Sequence, residues 1–282
     1  MRATSGAAPV GLALAAPDVV QEGVLRYRAP GTRSVATVLR EDQRDPDARR
    51  AVRDAVRGLG ATLRLLHAGP PPGAEPEAPG VPPAPARLAR WLRTGTGPGE
   101  APRLHATARS RLGDRRLRLI AEWSEQAAHG PGPRVLLHGG PAFGNLILPT
   151  GSGRPVLFTG EEITLGCWEF DLAWQLAEIA EMAAGARWGV CGPADYPALA
   201  RALLEGYGAQ PSPAAAHRAL VIRGFTHAHD FASYVVWHEQ LLVYLDLVAE
   251  AMDTAEETTR GPGTRSAWDA VRLCAGPSTP VP

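Results

Sequence analysis

The 282-residue chain has no lysine. All 29 of its basic residues are arginine, and 29 acidic residues balance them to a formal net charge of zero. That balance excludes the broad positive field that nucleic acid or an anionic membrane surface requires, and neither is expected as a partner. Cysteine is almost as scarce: Cys167, Cys191 and Cys274 lie far apart and form no CxxC pair. This excludes a disulfide framework and a structural zinc site, and a reducing cytoplasm is the expected compartment. No run approaches the roughly 20 apolar residues that span a bilayer. The segment AAPVGLALAAPD is apolar but short and broken by Pro9, and is not read as a secretory signal. Apolar residues at 45% and charged residues at 21% suit a globular core. Abundant Gly, Pro, Ala and Arg point to a GC-rich coding bias, which accounts for part of the missing lysine.

Periodicity divides the chain. Residues 1–18 read as a loosely held arm, and VVQEGVLRYRA and SVATVLRE read as two strands in hairpin relation. Val52, Val56, Leu59, Leu63 and Leu66 recur at spacings of three and four, which predicts a helix over 46–67 with Asp45 as cap and Pro46 in its first turn. Residues 69–85 are so rich in proline that a loop is expected. A short helix, ARLARWLRT, and a longer one over 102–128 follow. RVLLHG, NLILP and PVLFTG then predict three short strands, and helices are expected over 170–184, 193–207, 212–235 and 238–255. Residues 256–282 read as a frayed tail.

Four features occur in order: a helix ending in LRLLHA, a strand leading to HGGPAFGN, a hairpin returning through PVLFTGEE, and GCWEFDLAWQLAEI opening a helix. Together they resemble the large lobe of the aminoglycoside phosphotransferase and choline kinase family, over residues 19–255. The resemblance implies an α+β, protein-kinase-like fold: an arm and reduced small-lobe hairpin over 1–45 and a mostly helical large lobe over 46–255. In that family a catalytic Asp precedes an Asn by five residues, and a metal-binding Asp precedes a Gly and an Asp-Leu-Ala at fixed distances. Here the spacing persists, with Gly140 and Asn145, then Thr159, Gly166 and Asp171, but Gly140 and Thr159 stand where carboxylates are implied. Phosphoryl transfer needs a proton acceptor, metal ligands and a cation on the phosphates. The first two are depleted, and the lysine that would grip the phosphates is missing from the whole chain. Arginine differs in geometry from a compact ammonium. No GxGxxG precedes residue 46.

The candidate residues divide accordingly. His138 is expected to brace the degenerate loop, Asn145 to hold a turn, and Asp171 to cap the helix after it and bond the loop. Asn145, Glu161 and Glu162 are the candidate metal ligands, the two glutamates lying two and three residues past Thr159. His227, His229, Asp230 and His238 form no convincing metal set, because His227 and His229 point about 200° apart on a helix. The arginine faces RRAVRDAVR and ARSRLGDRRLRL read as solvated helix faces, with phosphate or acidic-peptide docking as the alternative. The expected function is that of a pseudokinase, without ATP or magnesium as cofactors. LHGGP, TGEE and WEFDLAW also resemble phosphotransferase-like proteins of ribosomal peptide pathways that make lanthipeptides and thioamitides, which implies a precursor peptide and a lyase as partners. Two alternatives stay open: an active ATP- and Mg2+-dependent phosphotransferase on peptide Ser or Thr with relocated metal ligands, and a small-molecule antibiotic kinase.

Overall fold

In the computed structural model, residues 12–21, 24–41, 45–68 and 80–258 are described. Four strands form one sheet in the order β1 (Ala13–Ala15), β7 (Val156–Phe158), β6 (Leu146–Leu148), β4 (Arg33–Ser34). β1 runs parallel to β7, with Ala15 opposite Phe158, and the other pairings are antiparallel. Two antiparallel pairs complete the strands: the hairpin β2 (Val19–Gln21) with β3 (Val24–Arg26), and β5 (Val135–Leu137) with β8 (Thr164–Gly166).

Eight helices occur among the described residues: α1 (Val35–Arg40), α2 (Pro46–Ala68), α3 (Pro83–Thr94), α4 (Ala101–Glu125), α5 (Glu169–Arg187), α6 (Tyr196–Tyr207), α7 (Pro213–Tyr234) and α8 (Gln240–Thr258). α5 is the hub. Nearly every residue from Phe170 to Gly185 is buried, because α5 is covered on several sides, chiefly by α6 and α7. α2 crosses α6 at very close range: a Cβ on Gly60 would lie 2.2 Å from the Leu203 carbonyl oxygen, and one on Gly206 would lie 2.0 Å from that of Arg57. Only glycine permits this backbone-to-backbone approach.

Several expectations are corrected. Within SVATVLRE, Val35–Arg40 form a helix rather than a strand. Ser34 Oγ accepts the Thr37 N–H at 3.1 Å, capping α1, and Val35, Val38 and Leu39 share one buried face. The capping serine outweighs the β-branched side chains that suggested a strand. Residues 13–15, taken for a loose arm, form β1. Its neighbour Leu12 is buried, with its N–H donated to Thr62 Oγ1 at 2.8 Å. The proline-rich loop ends earlier than expected, since Pro83 and Pro85 lie in the first turn of α3, where an absent N–H leaves no acceptor unsatisfied. Most of that loop, residues 69–79, lies outside the described residues, as does the tail from 259 on. The tail expectation fails at its start, because α8 continues to Thr258. The strand β8 went unpredicted, and α4 is two helices joined at Gly113, whose φ is 80°.

Candidate functional site

The start of the loop between β5 and β6 is held by a buried carboxylate. Asp171, fully buried in the first turn of α5, accepts the His138 N–H through Oδ2 at 2.7 Å and the Gly139 N–H through Oδ1 at 2.9 Å. Its Oδ2 also meets His67 Nε2 at 3.0 Å, and His67 Nδ1 lies 2.9 Å from the Tyr207 hydroxyl. One side chain therefore ties α2, α5, α6 and the loop together. Asp171 does not cap α5, whose N-cap position is Trp168. It bonds the loop instead.

His138 is buried, and its Nε2 donates to the Phe158 carbonyl at 3.0 Å, crossing from the loop to β7. Gly139, with φ at 85°, is pressed against the segment after β7: a Cβ there would lie 1.7 Å from the Glu162 carbonyl oxygen. At Gly140 a Cβ would meet nothing closer than Trp174 Nε1, 3.9 Å away. Space thus exists where the resemblance implies a catalytic carboxylate, but the Gly140 φ of 157° is one that residues with a side chain rarely adopt. Asn145 is exposed in the turn, its backbone N–H donated to the Ala142 carbonyl at 3.0 Å and its carbonyl accepting the Phe158 N–H at 3.0 Å.

Thr159 is buried and occupied. Its N–H and its hydroxyl both donate to the Ala15 carbonyl, at 2.9 and 3.1 Å, so strand β1 is clamped where a metal-binding carboxylate is implied. The Thr159 carbonyl accepts the Tyr27 hydroxyl at 2.8 Å, and the Tyr27 ring stacks on Phe158. Burial, and then the charges of Glu162 and Glu161, hold the Tyr27 pKa above its ordinary value, so it stays a neutral donor. Glu161 is exposed and Glu162 half-buried. Among the described residues no group of three or more His, Cys, Asp or Glu is arranged to hold a metal ion. A hydroxyl already donated to a backbone carbonyl is a poor magnesium ligand, since that ion takes carboxylates and keeps its waters. The residues at 140 and 159 do not fit a metal–nucleotide centre of the implied kind.

A family model described as the phosphotransferase enzyme family matches residues 5–218. The chain belongs to that family. The family match and the strand and helix order together give it the α+β, kinase-like fold. Solved structures similar to it include macrolide 2'-phosphotransferase from Brachybacterium faecium, at 17% identity over 90% of this chain and 76% of that one, with a TM-score of 0.38. Another is spectinomycin phosphotransferase, solved with ADP and spectinomycin, at 14% identity over 78% of this chain and 64% of that one, with a TM-score of 0.37. No curated protein matches the chain.

A second group of residues, unrecognised in the sequence, lies on the α5 side of the loop. Glu178 accepts the Phe143 N–H at 2.9 Å, Gln175 Nε2 at 2.8 Å and Arg223 Nη2 at 2.9 Å. Glu181 accepts Arg223 Nε at 3.1 Å, His227 Nδ1 at 2.7 Å and the Tyr244 hydroxyl at 3.1 Å. Burial pushes the Glu178 pKa up, against the pull of Arg223 and the Phe143 N–H. Burial also opposes the charge on Glu181, but His227 and Arg223 prevail and hold its pKa well below the usual carboxylate range. Two glutamates three apart in an otherwise buried helix were the available signal. The arginine faces, in contrast, are ion-paired in part: Arg57 with Glu205 at 2.8 Å, Arg111 with Asp246 at 2.7 Å, Arg109 with Asp114 at 2.6 Å, and Arg116 with Asp253. His229 is buried and bonds Asp230 at 2.8 Å, while His227 belongs to the Glu181 group. No helix among the described residues is long and apolar enough to cross a membrane.

Two measurements test this geometry. Asp171→Ala removes the acceptor of three donors at a buried point, and urea unfolding is expected to show a loss of about 3–5 kcal/mol, with a smaller loss for Asp171→Asn. The second concerns pH. Burial lowers the His227 pKa, yet Glu181 prevails and raises it above 6.5; the other charged or titratable groups around the ring are Arg223 on its own helix, Tyr244 on α8 and Arg40 on α1. A raised histidine contributes stability below its ordinary value, and that contribution is lost as pH rises through the folded value. Glu181, depressed, contributes above 4.5 and loses its contribution as pH falls through its folded value. The pair supports the fold most between 4.5 and 6.5. The urea midpoint is expected to fall as pH rises above that window, and to fall less in His227→Gln.

Proposed function

We propose that this phosphotransferase-family chain is a pseudokinase: a peptide- or partner-binding component without metal-assisted phosphoryl transfer of its own. The observation that carries the reading is Thr159. Its hydroxyl and N–H are both spent on Ala15, so the position implied for the metal carboxylate is neutral and filled by strand β1. Gly140 and the lack of lysine point the same way, because the proton acceptor and the phosphate-gripping ammonium are missing together. Asp171 meanwhile keeps the loop in a fixed shape, which a binding surface needs as much as a catalytic one does.

The peptide part of the proposal extends the resemblance of LHGGP, TGEE and WEFDLAW to ribosomal peptide pathway proteins. On that analogy the partners are a precursor peptide and a lyase that forms dehydroamino acids. A rival reading draws on Glu161 and Glu162, whose charges reach Tyr27 beside Thr159. With Asn145 they would serve as relocated magnesium ligands in an active Ser/Thr phosphotransferase.

Thermal unfolding with ATP or ADP, with and without Mg2+, separates the two. The pseudokinase reading predicts no magnesium-dependent stabilisation of the chain alone. A magnesium-dependent shift that disappears in Glu161→Gln or Glu162→Gln would replace it with the active reading, and label transfer from ATP to an aminoglycoside would establish the antibiotic kinase instead.

A further inference from the structure

A cavity of about 310 Å³ opens beside the loop, walled by α1, α5, α7, α8 and the segment at Val190–Cys191. Two of its residues grip Phe143 of the loop: the Glu178 carboxylate takes the Phe143 N–H, and the Ala36 N–H donates to the Phe143 carbonyl at 3.1 Å. The volume suits a side chain or a small molecule rather than a folded partner.

The cavity wall holds two carboxylates, but neither is open to a ligand. Glu178 and Glu181 each already accept three donors, and Arg223 is held between them. A cationic ligand would have to break one of these buried pairs, a cost of several kcal/mol before any gain. Arg40 is different. It lines the cavity at the end of α1, close enough to His227 and Cys191 to act on both electrostatically, and it makes no ion pair with another described residue. The His227 ring stands on the same wall with its Nδ1 already bonded to Glu181, and His238 stands at the rim with Nδ1 accepting the Gln240 N–H at 3.1 Å. Met182 and Leu241 supply apolar wall for the body of a ligand.

We infer that this cavity binds an anionic group, a carboxylate or phosphate, with Arg40 as its ion partner and His227 beside it. The inference goes beyond the binding reading by fixing the charge of what is held, and it stands whether or not the chain transfers phosphate. A guanidinium pairs with either oxyanion through two parallel N–H donors, so the two anions share one recognition chemistry.

The test titrates the full chain calorimetrically at low salt with inorganic phosphate, N-acetyl-O-phosphoserine amide, N-acetylglutamate amide and, as the opposite charge, N-acetyllysine amide. Binding of inorganic phosphate alone indicates a free oxyanion as ligand; tighter binding of an amide derivative indicates a peptide side chain. At least one anion is expected to bind and to protect Cys191 from alkylation, read by peptide mapping. Arg40→Gln should weaken that binding by roughly ten-fold, and Arg40→Lys by only a few-fold. Because Arg40 is exposed, its loss should leave the unfolding temperature nearly unchanged, and this is measured alongside. Failure of all three anions to bind, binding that Arg40→Gln leaves intact, or equal binding of the lysine amide would overturn the inference. None of these outcomes bears on magnesium-dependent nucleotide binding, so the two proposals fail separately.

Discussion

Everything around the candidate site depends on where the Asp171 carboxylate points. A buried carboxylate must be paired or heavily hydrogen-bonded, and Asp171 meets that requirement with two loop N–H groups and one imidazole. The constraint runs both ways. The loop needs the carboxylate because His138 and Gly139 have no sheet partner for those N–H groups, and the carboxylate needs the loop because α5 buries it completely. His67 then carries the restraint to Tyr207 on α6, across the glycine-lined crossing of α2 and α6. The loop is thereby pinned at His138 and Gly139, with Gly140 where the resemblance implies a carboxylate.

Under the pseudokinase proposal, this frame is one that a family member can keep while Gly140 and Thr159 stand where carboxylates are implied. Asp171, His138 and Gly139 serve folding, so replacing any of them exposes a buried donor or forces a clash. At position 140 a side chain would meet open space but a backbone φ of 157° that favours glycine. At position 159 the side chain is buried, and threonine suits it by donating its hydroxyl to the Ala15 carbonyl.

The frame was legible in the sequence because it is local or periodic. The helix over 46–67 announced itself by apolar spacing and a proline start, and RVLLHG, NLILP and PVLFTG by short apolar runs between turns. Position 159 was legible only as a spacing. Nothing in the sequence marked Ala15 as its partner, because β1 is three residues long and pairs with a strand more than 140 residues away. SVATVLRE misled for the opposite reason: its β-branched residues suit a strand, and only the Ser34 cap and the burial of Val35, Val38 and Leu39 turn it into a helix. Of the Glu178–Glu181–Arg223–His227 group only the glutamate pair left a sequence signal, because its members come from two helices some 40 residues apart, and Tyr244 from a third. Sequence reasoning sorted the histidines of α7 by their mutual angle. The packing of α5 against α7 assigned them separate partners.

The central claim is that the loop frame persists without a metal–nucleotide centre. It is tested most directly by the electron paramagnetic resonance signal of Mn2+ titrated into the chain with ADP. The account predicts that the free-ion signal falls no further than it does with ADP alone. A further fall, with a protein-bound Mn–ADP spectrum that Glu161→Gln or Glu162→Gln abolishes, would contradict it.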